Sequence, residues 1–142
     1  MTQAIQRINP SALGAPSGYG FTNVVVVPAG KTLIFLSGQG GRDQQGQMGS
    51  FETQLKQAFD NLRKGLAAAG AVPEDVVKIT VLSVDHNADK QKLISAERNT
   101  LWPDKLVKPA STLIPVPRLA GDDMLFEIDA IAAISPAQKR HT

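Results

Sequence analysis

The segment Met124-Leu125-Phe126-Glu127-Ile128-Asp129-Ala130-Ile131-Ala132 carries the pattern that decides the fold of this chain. Side chains of a strand alternate between its two faces. Met124, Phe126, Ile128, Ala130, Ala132 and Ile134 therefore share one face and are all apolar, while Leu125, Glu127, Asp129 and Ile131 share the other. Burying two unpaired carboxylates is costly, so the second face must meet water, a ligand or another subunit. The pattern predicts a sheet covered on one side and lining something polar on the other. Just upstream, Lys108-Pro109-Ala110-Ser111-Thr112-Leu113-Ile114-Pro115-Val116-Pro117-Arg118 reads as a further strand at about residues 111 to 116, entered through Pro109-Ala110.

Working outward, Phe21 to Val27 and Thr32 to Ser37 are β-rich runs separated by Pro28-Ala29-Gly30-Lys31, which suits a type I turn and predicts a hairpin. The loop Gly38 to Gln47 has no apolar residue and is expected to be a solvent-facing or site-forming excursion. Ser50 is placed to cap a helix in which Phe51, Leu55, Phe59, Leu62, Leu66 and Ala69 recur at helical spacing. Gly70 and Pro73 end it. Val76 to Val84 reads as a strand, with Val77, Ile79 and Val81 on one face. Asn87 or Asp89 opens a second helix containing Leu93, Ile94, Ala96 and Leu101, closed at Trp102-Pro103. Ile5 to Ile8 offers a short edge strand. The order β-β-α-β-α-β-β predicts an α+β two-layer domain, a mixed sheet with two helices on one face. Residues 1–142 read as one domain with a core from about 5 to 134 and a short C-terminal tail. The uncovered face, with Leu125 and Ile131 beside the acids, is too apolar to be simply solvated. A closed homo-oligomer is the expected solution.

Composition narrows the function. The chain has 142 residues, 42% hydrophobic and 20% charged, with a formal net charge of +2. The pI near 9.0 reflects that small excess, and the only basic run is Lys139-Arg140-His141 at the tail, which argues against a nucleic-acid partner. There is no cysteine, hence no disulfide and no thiolate nucleophile or ligand. His86 is the only histidine outside the tail, so neither a Ser-His-Asp nucleophile nor a metal site has residues to rest on; His86 itself reads as a solvated loop residue. No cofactor is implied. The start of the chain lacks the apolar core of a signal peptide, and runs such as Val24-Val25-Val26-Val27 are too short to cross a bilayer. A soluble, cytoplasmic protein with no membrane partner is expected. The glycines at Ser37-Gly38-Gln39-Gly40-Gly41 are not followed by Lys-Ser/Thr or directly by a helix, so a cleft-edge loop is the better reading than a phosphate cradle.

Tyr19, Ser37-Gly38-Gln39, the helix ending Ala67-Ala68-Ala69-Gly70, the entry Pro109-Ala110-Ser111-Thr112 and the strand Glu127-Ile128-Asp129-Ala130-Ile131-Ala132 together resemble the Rid (YjgF, L-PSP) family in order and spacing, from about Ile5 to Ile134. The resemblance implies a chorismate-mutase-like α+β domain that forms a homotrimer with clefts at its subunit boundaries. It also implies hydrolysis of reactive enamines and imines to 2-oxo acids and ammonia. Glu127 matches the family's water-positioning Glu. The family's carboxylate-clamping Arg falls on Ser111, its second-helix Asn on Ser95 and its cleft Cys on Leu113. A hydrogen bond to a charged group is worth about 1.5–3 kcal/mol, so loss of the clamp is serious unless another cation serves. Arg42 and Arg118 are the candidates, with Ser37, Gly38, Ser111, Thr112 and Leu113 lining the cleft and Tyr19 either covering a ligand or packing at an interface. For Glu127 the plainer role is pairing across a subunit boundary; for Ser111 and Thr112 it is turn chemistry. Asp129 is assigned a structural role. Two other functions compete: a non-catalytic metabolite-binding protein, motivated by Ser111, and an endoribonuclease or translation inhibitor, against which stand the scattered charge and the 5% aromatic content.

Overall fold

A computed structural model describes residues 3–16 and 20–136. Strand β6 (Phe126–Ile134) lies inside a four-stranded sheet, between β3 (Thr32–Gly40) and β4 (Val76–Val84); β5 (Ala110–Val116) forms one edge. β6 runs antiparallel to both neighbours, and β4 and β5 are parallel. Parallel neighbours need a crossover, and helix α2 (Ala88–Leu101) provides it between β4 and β5, while α1 (Phe51–Ala68) links β3 to β4. A separate two-stranded ribbon pairs β1 (Gln6–Ile8) with β2 (Val24–Val26).

Local chemistry sets the helix ends. The Ser50 hydroxyl accepts from the Thr53 amide at 3.3 Å and opens α1. At the other end the Ala71 amide donates back to the Leu66 carbonyl at 2.9 Å, across Gly70 at φ 80°, a left-handed value that glycine adopts without strain. Asn87 is the residue that opens α2, its side chain accepting from the Lys90 amide at 2.8 Å.

The predicted alternation in β6 holds from Phe126 to Ala132, but Ala133 is buried as well and Leu125, expected on the uncovered face, packs on the core. Phe126, Ile128, Ala130, Ala132 and Ile134 are buried, Glu127 and Ile131 are half-buried, and Asp129 is exposed. The buried face meets Phe51, Leu55, Phe59, Leu62 and Leu66 of α1. Phe126 packs edge-on to Phe51 at 5.9 Å between centroids and stacks on Phe59 at 6.0 Å; Phe59 in turn meets Trp102 at 6.3 Å. The indole N–H of Trp102 donates to the Pro73 carbonyl at 2.7 Å, so this large buried side chain leaves no polar atom unpaired. On the opposite face the sheet is bare. Phe35 is 71% exposed, Leu33 50% and Ile114 43%.

Three sequence expectations are corrected. The hairpin between Phe21–Val27 and Thr32–Ser37 does not form: β2 pairs with β1 instead, in the register Arg7↔Val25, and β3 pairs with β6. Long-range anchors account for this. Arg7 donates to the carbonyls of Glu74, Val76 and Lys108, each at 3.1 Å. Thr22 is tied to the start of β5 through its hydroxyl to the Lys108 carbonyl at 2.6 Å and its amide to the Pro109 carbonyl at 2.9 Å. Both β1 and the approach to β2 are thereby drawn towards β5, away from β3. Second, β3 continues through Gly40, so the polar excursion begins three residues later than its composition suggested. Third, His86 is half-buried and held on both ring nitrogens, by Ser83 Oγ at 2.9 Å and Gln91 Oε1 at 3.0 Å, rather than solvated.

Leu62 is fully buried at the centre of the α1–sheet contact. Leu62→Ala is expected to lower the unfolding free energy by about 2–5 kcal/mol in urea titration; a loss below about 1 kcal/mol would contradict the packing described.

Candidate functional site

The pairing of β3 with β6 slips between Leu36↔Ala130 and Gln39↔Ile128, so Ser37 and Gly38 together oppose Asp129. Such a bulge re-aims side chains and opens the hydrogen-bond ladder, and bulges often flank active sites. Here it brings Gly38 against Glu127: a methyl group added at Gly38 would lie 2.5 Å from both Cδ and Oε2 of that carboxylate. Among the described residues Glu127 has no hydrogen-bond or ion-pair partner, although it is half-buried. Its lone pairs are available on the bare face of the sheet.

A second polar cluster lies on the same face. The Asp129 carboxylate accepts from the Thr80 amide at 3.2 Å, the fixed, structural use expected of it. Lys78 reaches across to Thr112 Oγ1 at 2.9 Å and to the Ile79 carbonyl at 2.9 Å. Burial holds the Lys78 ammonium below its ordinary pKa, and the nearby Asp129 charge works against that shift.

Ser111 and Leu113 point the other way. Ser111 is paired in register with Ile79 and, through it, with Ala130, both on the helix-covered side. Leu113 packs on the core. The hydroxyl of Ser111 accepts from Arg98 Nη1 at 3.0 Å. Glu127 lies opposite Leu82, which lies opposite Ile114. Ser111 and Glu127 are thus two strands apart, about 10 Å by strand spacing, on opposite faces and at different levels. One protomer does not bring them together.

The two cations expected to replace the clamp are engaged in their own loops. Arg42 donates to the Gly46 carbonyl at 2.8 Å and pairs with Asp123 at 3.4 Å. Arg118 donates to the Leu119 carbonyl at 3.0 Å and the Ala120 carbonyl at 3.2 Å, and pairs with Asp122 at 2.9 Å. Ser37 is exposed, and its carbonyl accepts from the Gln39 side chain at 3.0 Å. Tyr19 lies outside the described residues.

The sequence reading missed the side chains that hold the site's rim. Gln54, 1% exposed, donates to the Gly49 and Asp123 carbonyls at 2.9 and 3.0 Å and accepts from the Leu125 amide at 2.8 Å. Asn61 donates to the Gly40 and Arg42 carbonyls at 3.0 and 3.2 Å. It also missed Arg98, 3% exposed. The signal for Arg98 was available: it continues the Ile94–Leu101 stripe of α2, where a charged residue interrupts an apolar face. Separately, a shallow cavity of about 180 Å³ opens between α1 and α2, lined by Lys56, Phe59, Asp60, Arg63, Glu97 and Thr100, none of them a candidate from the sequence. Among the described residues no three His, Cys, Asp or Glu side chains gather to hold a metal, and no helix is long and apolar enough to cross a membrane.

Two helices on a mixed four-stranded sheet, with a separate two-stranded ribbon, match the fold of YjgF-like proteins of known structure. The chain belongs to the endoribonuclease L-PSP family, whose family model matches residues 15–134. It is 34% identical over 103 residues to the RutC family protein YjgH of Escherichia coli K12, covering 72% of this chain and 76% of that one. The crystal structure of YyfB from Yersinia pestis, a Rid-family protein of unknown function, superposes with a TM-score of 0.85 at 27% identity, covering 92% of this chain and 98% of that one. The YjgF gene product of E. coli gives a TM-score of 0.62 at 28% identity, over 75% and 83% of the two chains.

Gly38→Ala is expected to retain the fold, because the atoms it meets end a flexible side chain, but to cost about 1–3 kcal/mol and to shift the carboxyl-carbon NMR resonance of Glu127. Gly41→Ala should cost more, since its methyl would lie 2.3 Å from the Gln54 Cα, which belongs to a helix backbone. Wild-type stability and an unmoved Glu127 resonance in the Gly38 variant would contradict the contact.

Proposed function

We propose that this chain is a Rid-type hydrolase that converts a reactive imine to a 2-oxo compound and ammonia, with Glu127 directing the water. The observation that carries the reading is the half-buried, unpartnered carboxylate of Glu127 lodged at the Ser37–Gly38 bulge. The chemistry asks for that group. As water oxygen bonds to the imine carbon, one water proton passes to Glu127 and the nitrogen takes up a proton, giving a carbinolamine. Return of a proton to nitrogen and loss of the hydroxyl proton then break the C–N bond, releasing ammonia and leaving the carbonyl. One carboxylate alternating between base and acid serves both halves. An enamine substrate joins the path after protonation at carbon. The Ser37 and Gly38 backbone, freed from regular pairing by the bulge, is placed to orient the substrate, with Thr112 on the same open face.

The active form in this reading is a homotrimer. The exposed apolar side chains of Leu33, Phe35 and Ile114 supply a surface that water does not stabilise. The placement of Glu127 and Ser111 on opposite faces favours a site shared between neighbouring copies. The chain acts as one domain, with the cytoplasm as its compartment and a small imine or 2-oxo acid as its ligand. Ser111 in place of the clamp favours a second reading, a protein of the same fold that binds such a metabolite without turning it over.

Ammonia release from freshly generated 2-aminoacrylate distinguishes the two. Catalysis above the spontaneous rate, falling by about 10²–10⁴-fold in Glu127→Gln, is the expected result. Undiminished rates in that variant, or no acceleration across several imines, would overturn it. Phe35→Glu is expected to convert a three-chain particle to single chains in sedimentation velocity; an unchanged particle would show that the bare face is not the interface.

A further inference from the structure

Lys78 stands on the bare face of the sheet, in one row with Ala110 of β5, Ile131 of β6 and, beyond Ile131, Phe35 of β3. Its Nζ reaches Thr112 Oγ1 and the Ile79 carbonyl, both at 2.9 Å, with Thr80 Oγ1 at 3.4 Å. All three partners are neutral, and among the described residues no carboxylate forms an ion pair with it. Asp129 lies on the diagonal, opposite Thr80, and uses one carboxylate oxygen on the Thr80 amide. A hydroxyl can turn to donate or accept, so Thr80 and Thr112 serve a neutral amine as well as an ammonium. Burial favours the amine and outweighs the Asp129 charge. The group is also reachable. Lys78 is half-buried on a face that no helix covers, and Thr112 beside it is exposed. It sits two strands from Phe35, level with the first residue of β5, at the margin of the face.

A lysine held on neutral partners at an open surface has its nitrogen lone pair within reach of an electrophile. We propose that Lys78 is a covalent capture site for small neutral aldehydes, its amine forming an imine with the aldehyde carbon. The nitrogen lone pair adds to that carbon while a proton passes from nitrogen to oxygen, giving a carbinolamine. Protonation of the new hydroxyl lets it leave as water, and loss of the remaining N–H proton leaves the C=N bond. Asp129 is the carboxylate placed to relay those protons. Asp129 and Glu127 share the face and disfavour an anionic carbonyl compound, whereas Ile131 and Phe35 offer an apolar surface to an aliphatic tail. The inference goes beyond the imine hydrolysis proposed above and uses neither Glu127 nor a ligand carboxylate. Lys108 provides an internal control. Burial lowers its pKa too, but it is 4% exposed and donates to Asn99 Oδ1 and the Trp102 carbonyl, out of reach of an aldehyde.

The test treats the full chain with butanal and sodium cyanoborohydride, which reduces an imine to a stable amine, and maps the adducts by peptide mass spectrometry. Lys78 should label about tenfold faster than Lys56 and Lys64, whose ammonium groups are exposed and paired with Glu52 and Asp60. Its labelling should saturate with butanal concentration and persist to a lower pH than an ordinary lysine allows, while Lys108 stays unlabelled. Glyoxylate, an aldehyde that carries a carboxylate, should show less preference for Lys78 over the exposed lysines than butanal does. Lys78→Arg should remove the fast adduct from the intact-mass spectrum; the wild-type peptide map decides the matter if that variant does not fold. Labelling of Lys78 no faster than that of Lys56 and Lys64, no labelling of Lys78 at all, or an equal or stronger preference for Lys78 with glyoxylate would overturn the proposal. A fast Lys78 adduct in a protein that hydrolyses no imine would sink the hydrolase reading alone.

Discussion

Phe126, Ile128, Ala130 and Ile134 bury against α1, while from the same nine-residue strand Glu127 and Asp129 project to the opposite side. Strand pairing has a period of two, so a slip of one residue would carry both acids into the apolar core and turn Phe126 and Ile128 outward. That penalty fixes the register of β6, and β6 fixes its neighbours. β3 delivers Leu36 to the core beside Gly65 of α1, and its register slips by one residue immediately after, at Ser37–Gly38.

How much of this was legible in the sequence follows from where the information sits. Both helices, the Ser50 cap and the two-sided character of β6 were readable because periodicity and capping are local, while the cap of α2 stayed open between Asn87 and Asp89 until the Lys90 amide contact placed it at Asn87. The partner of β2 was not, since Pro28-Ala29-Gly30 is equally good turn chemistry whether the chain folds back or passes to another sheet. What decided it was Arg7 and Thr22 reaching residues more than sixty positions away. Glu127 was legible because a carboxylate on an apolar strand is anomalous. Arg98 has the same kind of anomaly on α2, but that helix has a thinner apolar face, so the break in its pattern stood out less. Gln54 and Asn61 carry no signal of their own in the sequence, since polar residues are ordinary on a helix. Only the fold shows that they hold the rim at Gly40 to Leu125.

The site is divided in an instructive way. One face of the sheet holds an acid with room around it, and the other holds a buried base with an unused donor. Neither arrangement is cheap for an isolated protomer, because each leaves an electrostatic demand unmet. In the proposed function, a small ligand at a boundary between copies answers the demand at Glu127, with its reacting carbon facing that carboxylate. Family membership fixes the fold, and the buried Arg98 held by the hydroxyls of Ser111 and Ser95 gives this chain its own distribution of charge.

The most direct test of the account is a crystal structure of the assembled protein soaked with 2-oxobutanoate. The account predicts the ligand in a crevice between two copies, its oxo carbon within about 3–4 Å of a water held by Glu127. A ligand bound wholly within one protomer, or a Glu127 carboxylate facing open solvent away from every shared crevice, would contradict it.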